Sequence, residues 1–467
     1  MNDLKAWSAG VGLLCAVAAP AGAESLWDIY GLAQVNDPRL RGQAAELEAT
    51  EQAIPQSRSF LLPNIQLNAN TTKNTLRTDS GNPLFSGGKT EYNSNALSVT
   101  LVQPLFNYQV FAGLGIARST VDQAIEEFDF AQTELMLRSA DGYFNVLNAR
   151  DALEFARAEK RAIERQLEQA RQRFEVGLIS ITDIHEAQAR YDLAVAQEIA
   201  AENQLTTALE VLRELTGIYP QMLNALRDPA PLQMPEPADM EHWVSTALAS
   251  NPLIAAAEFA TEAARDEISR QRAGHFPTLN AVGTYVNSSD NGSRFGSGGL
   301  DAEDTILSLE FNLPIFEGGL VQSRVRESQA RYRQAQELLE QQRRAVVRQT
   351  RDAYLGVEAA ISRVKALNAA LVSNESALEA TELGYEVGTR TSVDVLDAQR
   401  ELYRAKRDLA TSRYQYVLNL LSLQQAAGTL NEDDLERVNS WLSEQAESVV
   451  PADVVPNEDP ETTGSAG

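Results

Sequence analysis

Two periodicities divide the chain between them. In Asn64-Ile65-Gln66-Leu67-Asn68-Ala69-Asn70 every second residue is apolar and the others are amides, a period of two that predicts a β-strand. A return run follows, in which Leu97, Val99 and Leu101 alternate with Ser98 and Thr100. The same pair recurs later: Leu279, Ala281 and Tyr285, then Leu307, Leu309, Phe311 and Leu313 alternating with Ser308, Glu310 and Asn312. The pattern therefore predicts four strands of about ten residues each, grouped in two hairpins over about 64–103 and 278–313. Prolines 63, 104, 277 and 314 stand at the expected strand ends, where a missing N–H breaks no ladder bond. The Gly-, Ser- and Asp-rich stretches TDSGNPLFSGGKTE and SSDNGSRFGSGGLDAED fit hairpin loops.

The second periodicity is helical and long. No proline interrupts Gln109 to Val176 or Val321 to Val387, and a helix of roughly 67 residues would extend about 100 Å. Leu153, Ala156, Lys160, Ile163, Leu167, Ala170 and Phe174 follow alternating steps of three and four with one basic exception, and Val395, Ala398, Leu402, Ala405, Leu409, Ser412 and Tyr416 repeat the pattern. Such a seam needs a partner along its length, and its alanines imply closely approaching helices. Shorter Ala-, Glu- and Arg-rich segments at Asp37–Ser57 and Asn251–Arg272 predict exposed helices ahead of each hairpin.

The order of these elements repeats. FEVGLISITDIHEAQ, starting at Phe174, aligns without a gap on YEVGTRTSVDVLDAQ, starting at Tyr385, and Pro104-Leu105-Phe106 answers Pro314-Ile315-Phe316. The chain reads as two copies of one unit of about 210 residues. The first copy spans 24–217, with a long helix at about 109–176 and a second at 181–217. A linker covers 218–249. The second copy spans 250–429, with helices at about 318–387 and 391–429, and is followed by a short segment, 430–445, and an acidic tail, 446–467.

Each copy turns sharply between its two long helices. Gly177 and Gly388 suit the left-handed residue that ends a helix, while Ser180 and Thr391 stand three residues before Asp183 and Asp394, the spacing of a capping box. Both turns are expected to be helical hairpin tips at the far end from the strands. The second turn also carries Arg390, and Asp394 and Asp397 share one face of the first turn of the following helix, where carboxylates favour the positive end of the helix dipole.

Charge and composition narrow the function. With 65 acidic and 40 basic residues the net charge is −25, which argues against a nucleic-acid partner. Residues 1–23 read as an export signal, with Lys5, an apolar run Val11 to Ala19, and Ala21-Gly22-Ala23 as the cleavage site. The only cysteine, Cys15, falls inside that segment, so the exported chain would carry no disulfide or thiol chemistry. His185, His242 and His275 have no second ligand at metal spacing, and neither a nucleophile elbow nor a phosphate loop occurs. GSRFGSGG is glycine-rich but lies between two strands, as an external hairpin would. No enzyme and no cofactor are expected. The tail, with three prolines and no basic residue, is expected to be disordered and dispensable.

No stretch approaches the 18 or so apolar residues of a membrane helix, so a membrane could be crossed only by strands. Ten residues with one apolar and one polar face match a membrane barrel strand, although a half-buried sheet in a soluble domain has the same pattern. Four strands cannot close a barrel, since the smallest have eight. Spanning a membrane would require several chains to share one barrel.

Four segments carry a resemblance to a known family: YEVGTRTSVDVLDAQ, AGTLNEDDLERVNSWL at Ala427–Leu442, DGYFNVLNARDAL at Asp141–Leu153, and FEVGLISITD. Together they resemble the TolC family of outer-membrane export ducts, in order from about Glu24 to Leu442. The resemblance implies a mixed α/β membrane protein. It would be a homotrimer in which each chain gives four strands to one 12-stranded β-barrel in outer-membrane lipid, continued by a long periplasmic α-helical barrel, with a mixed band formed by Tyr219–Glu241 and the chain from Leu430. It also implies a passive duct for efflux or type I protein secretion, most of its mass in the periplasm, served by a periplasmic adaptor (membrane fusion) protein and an inner-membrane transporter of RND, ABC or MFS type. Carried over residue by residue, Thr182 and Asp183 of the first copy and Tyr385 and Arg390 of the second would latch the closed tips: Arg390 paired with Asp183, and the Tyr385 hydroxyl bonded to the same carboxylate. Threefold symmetry would gather Asp394 and Asp397 into rings that hold cations at the periplasmic mouth. A soluble periplasmic coiled-coil adaptor or spacer would explain the signal and the helices but not the hairpins. A secreted adhesin would explain only signal and tail.

Overall fold

The computed structural model describes residues 24–78, 88–229, 231–292 and 298–448. The export signal with Cys15, the hairpin-loop centres and the tail beyond Ser448 lie outside the described residues.

Helices α1 (Leu26–Asn36), α2 (Pro38–Glu51) and α3 (Ala53–Ser59) lead into strands β1 (Asn64–Thr78) and β2 (Gly88–Phe106). The long helix α4 (Tyr108–Glu175) and its return α5 (Ile181–Thr216) follow, then β3 (Met222–Leu226). The second copy runs through α6 (Met240–Ser250), α7 (Pro252–Arg272), β4 (Thr278–Asp290), β5 (Leu300–Asn312), α8 (Leu320–Glu386) and α9 (Ser392–Ala427), ending in α10 (Glu432–Asn439) and β6 (Leu442–Ser448).

Several bounds differ from the sequence expectation, each for a local reason. The expected helix Asp37–Ser57 is split at Gln52 into α2 and α3. The strands are longer than ten residues, reaching 19 in β2, because antiparallel pairing continues through Thr, Asn and Lys residues beyond the apolar stretch, from Asn64 opposite Val102 out to Arg77 opposite Lys89. Pro104 lies inside β2, and the ladder to β4 shifts register between Pro104 and Phe106, an irregularity that tolerates the missing donor. Helix α8 starts at Leu320 rather than near 318 because Gly318 and Gly319 are both left-handed, at φ +62° and +85°. Gly217 and Gly428, at φ +80° and +70°, end α5 and α9. The tail does not begin at 446: residues 446–448 belong to β6, which pairs antiparallel with β3.

The chain divides into two compact units, to both of which α4 and α8 contribute. One comprises Met1–Arg41, Ala131–Ala249 and Arg348–Gly467. Its core gathers Leu26, Ile29, Tyr143, Phe144, Leu147, Leu209, Leu212, Leu223, Tyr416, Val417, Leu421 and Leu435, all fully buried or nearly so. Burying a side chain of this size contributes about 1.5–3 kcal/mol. Two of its buried tyrosines satisfy their hydroxyl on backbone: Tyr143 donates to the Asn224 carbonyl at 2.8 Å and Tyr416 to that of Gln233 at 2.9 Å. A half-buried salt bridge, Arg138 Nη2 to Asp37 Oδ2 at 2.6 Å, ties α4 to the start of α2. Along α4 the heptad residues Leu153, Ala156, Ile163, Leu167 and Ala170 are buried, and the basic exception, Lys160, reaches Glu198 on α5.

The other unit, Gly42–Phe130 and Ser250–Val347, holds a four-stranded antiparallel sheet in the order β1-β2-β4-β5. The two hairpins are joined by β2 and β4, so β1 and β5 are its edges, and neither has a second strand partner among the described residues. The sheet has almost no core. Ile65 and Leu67 on β1 and Leu307, Leu309 and Phe311 on β5 are all more than three-fifths exposed, although each strand alternates as a half-buried strand should.

Candidate gate at the helical turns

The two turns are built alike. Helix α4 ends with Gly177 at φ +77°, and the Leu178 N–H returns to the Arg173 carbonyl at 2.9 Å; α8 ends with Gly388 at φ +79°, and the Thr389 N–H returns to Gly384 at 2.8 Å. Both close the last turn and satisfy carbonyls that the helix leaves unpaired. Each following helix starts with a reciprocal cap. Ser180 N–H donates to Asp183 Oδ2 at 3.0 Å, and the Thr182 N–H donates to Ser180 Oγ at 3.1 Å. Thr391 donates to Asp394 Oδ2 from both its N–H and its hydroxyl, at 2.9 Å each, while Asp394 N–H donates to Thr391 Oγ1 at 3.2 Å. These bonds, first that from the Thr391 backbone, hold the Asp394 carboxyl below the usual carboxylate range.

Within one chain the residues expected to latch do not meet. Asp183 is engaged by its own cap, and no hydrogen bond or ion pair joins it to Tyr385 or Arg390 among the described residues. Arg390 is exposed and folds its stem across Gly384, where an added Cβ would lie 2.7 Å from Arg390 Cγ. The Tyr385 hydroxyl is buried without a partner. Its ring instead carries the guanidinium of Arg173, 4.3 Å from the ring centre, a cation–π contact. Asp394 and Asp397 also part company: Asp397 Oδ1 accepts from Arg190 Nη2 at 2.8 Å, across from α9 to α5, with Arg400 Nη1 3.7 Å away.

Between α4, α8 and α9 lies a polar cavity of about 730 Å³, lined among others by Gln166, Arg173, Glu382, Tyr385 and Gln399. His185, His242 and His275 are exposed, and no group of three or more metal-ligating side chains occurs among the described residues.

Sequence reading missed Arg173 and Arg190. Arg173 gives no signal, since its target lies in the other repeat. Arg190 gives a weak one: counted from the aligned turns, its counterpart in the second copy is Glu401, a reversal of charge at one position of otherwise matching segments.

A family model described as outer membrane efflux protein matches residues 29–218 and 243–429, one block on each repeat. The chain belongs to the outer membrane efflux protein family. It is 39% identical over 426 residues to the outer membrane protein TolC of Vibrio cholerae, covering 90% of this chain and 94% of that one. It is 31% identical over 452 residues to the alkaline protease secretion protein AprF of Pseudomonas aeruginosa, covering 94% and 91%. Among solved structures, the CmeC outer membrane channel of Campylobacter jejuni superposes with a TM-score of 0.73 over 90% of each chain at 16% identity, which bears on the fold alone. This efflux protein is thus an outer-membrane channel protein and not an enzyme. No helix among its described residues is long and apolar enough to cross a membrane.

Proposed function

We propose that the chain is one third of a trimeric outer-membrane exit duct, opened at its helical turns by an adaptor and transporter. The open-edged sheet carries this reading. In lipid every backbone N–H and C=O must be paired, and a sheet whose edges β1 and β5 lack partners meets that demand only if edge joins edge around a closed ring. Three copies give 12 strands, a number within the range of membrane barrels. The exposed apolar residues of β1 and β5 supply the lipid face.

The family description as an outer membrane efflux protein and the likeness to an alkaline protease secretion protein support a duct served by an inner-membrane transporter of RND, ABC or MFS type and a periplasmic adaptor. The gate would be made between neighbouring chains, Arg390 and Tyr385 of one meeting Thr182 and Asp183 of the next. The unpartnered Tyr385 hydroxyl and the exposed Arg390 support that reading. Asp394 and Asp397 would form the acidic rings of the periplasmic mouth.

The test is the detergent-extracted protein. A heat-modifiable trimer from the outer-membrane fraction that forms ion channels in planar bilayers is expected, whereas a water-soluble monomer that never enters lipid overturns the reading. In the same bilayers, Asp394→Ala with Asp397→Ala is expected to relieve block by multivalent cations.

A further inference from the structure

We infer that Arg190 sets how strongly the mouth of this channel holds cations, by supplying the counter-ion of Asp397. The inference rests on the proposed acidic ring and deepens it. The sequence offers two carboxylates on one helix face, but the structure treats them differently. Asp394 faces only the hydroxyl and N–H donors of its own cap at hydrogen-bond distance. Asp397 has a guanidinium at 2.8 Å from α5 and a second at 3.7 Å from its own helix.

Both members of the Arg190–Asp397 pair are partly exposed, at 31% and 43% of their side-chain surface. A pair this wet contributes little to stability. Its consequence lies in the field. A carboxylate matched by a cation at contact distance presents a near-neutral dipole to a passing ion, while an unmatched one presents a full charge over about a Debye length, ~8 Å at physiological salt.

The repeat makes the arrangement one-sided. In the aligned turns Arg190 corresponds to Glu401 and Asp397 to Glu186, so the symmetry-related combination would set two acids together. Only Arg190 with Asp397 yields a neutral pair, and it lies across the two helical hairpins. Arg190 is therefore a specificity-determining residue: it leaves Asp394, which has no cation at contact distance and is offset only by the more distant charge of Arg390, as the less compensated of the two acids.

The experiment uses the full-length channel in planar bilayers, titrated with a trivalent lanthanide ion from the side of the helical turns. Arg190→Gln is expected to lower the half-blocking concentration about tenfold or more, since it uncovers a carboxylate for each chain. Adding Asp397→Asn to that variant should return block to the original level. Arg190→Lys should behave as the unaltered protein, and Asp397→Asn alone, which leaves the Arg190 guanidinium unmatched, should weaken block. If Asp394→Asn relieves block while Arg190→Gln leaves it unchanged, or if adding Asp397→Asn to Arg190→Gln does not restore the original block, the role of Arg190 is overturned while the acidic ring stands. If no variant, Asp394→Asn included, alters block, the ring itself fails. Should Arg190→Gln not assemble, the double variant Arg190→Gln with Asp397→Asn decides: block at the original level supports the role of Arg190, and block weakened as far as in Asp394→Asn overturns it.

Discussion

Arg173 lays its guanidinium 4.3 Å from the centre of the Tyr385 ring, while the hydroxyl of the same tyrosine is buried with no partner. Two ends of one side chain thus have opposite standing. The ring is held by the first repeat, and the hydroxyl has no hydrogen-bond partner among the described residues.

Tyr385→Phe therefore separates the lone protomer from the assembly. Removing an unpartnered buried hydroxyl leaves stability unchanged or raises it slightly, whereas removing one bonded across an interface costs about 1 kcal/mol. Combined with Arg390→Glu, the substitution is expected to raise single-channel conductance in planar bilayers. Unaltered conductance would remove both residues from the gate. Arg173→Ala is expected to cost about 0.5–1 kcal/mol in thermal unfolding through loss of the cation–π contact.

The Asp37–Arg138 bridge gives the protein an acid limit. Burial alone would raise the Asp37 carboxyl, but the Arg138 hydrogen bond, the N–H groups of Arg39 and Leu40 and the charge of Arg138 outweigh it, and its pKa is lowered. A carboxyl with a depressed folded pKa contributes stability that is present above the unfolded value, 3.8, and is lost as pH falls through the folded one. Melting temperature should thus fall below about pH 4, and Asp37→Asn should flatten that part of the profile. Arg138→Ala, which leaves the Asp37 carboxylate only the N–H groups of Arg39 and Leu40, is expected to cost about 1.5–3 kcal/mol at neutral pH.

The caps of the two turns should be felt locally. Thr391→Ala removes a hydroxyl that both donates to Asp394 and accepts from its N–H, at an expected cost of about 1 kcal/mol. Hydrogen exchange at residues 391–395 should accelerate while the β3–β6 region is unaffected. Equal acceleration in both regions would show that the turn is not an independent element.

Truncation should show where the structured chain ends. Deleting Val450–Gly467 leaves β6 and its pairing with β3 in place, and trimer formation and export should survive. Deleting from Leu442 removes the strand opposite β3, withdraws the Leu442 carbonyl from Arg227 Nε and uncovers Leu223, which is fully buried. That chain is expected to lose assembly, measured as loss of the heat-modifiable trimer.

A charge on the proposed lipid face should be tolerated poorly. Leu309 is 71% exposed on edge strand β5. Leu309→Lys is expected to destabilise the barrel in lipid by about 2–4 kcal/mol if the site lies near the bilayer centre. Ser308→Lys, on the opposite face, should change conductance more than stability.

What the sequence by itself determined were the properties carried by near neighbours along the chain. Alternation in Asn64–Asn70 and Leu307–Leu313 specifies strands, the run without proline after Gln109 specifies a helix, and Ser180 with Asp183 or Thr391 with Asp394 specifies a cap, because the interacting groups are within four residues of one another. The repeat followed from comparing one half with the other. Only the tertiary structure decided which long-range partners the charged and aromatic side chains take: Arg190 with Asp397, Arg173 with Tyr385, Arg138 with Asp37. Those pairs join residues 101 to 212 positions apart, and their choice depends on how α4, α5, α8 and α9 are rotated about their axes. A heptad pattern says which face of a helix is buried, not which partner faces it, so two carboxylates that look equivalent in the sequence end with different counter-ions.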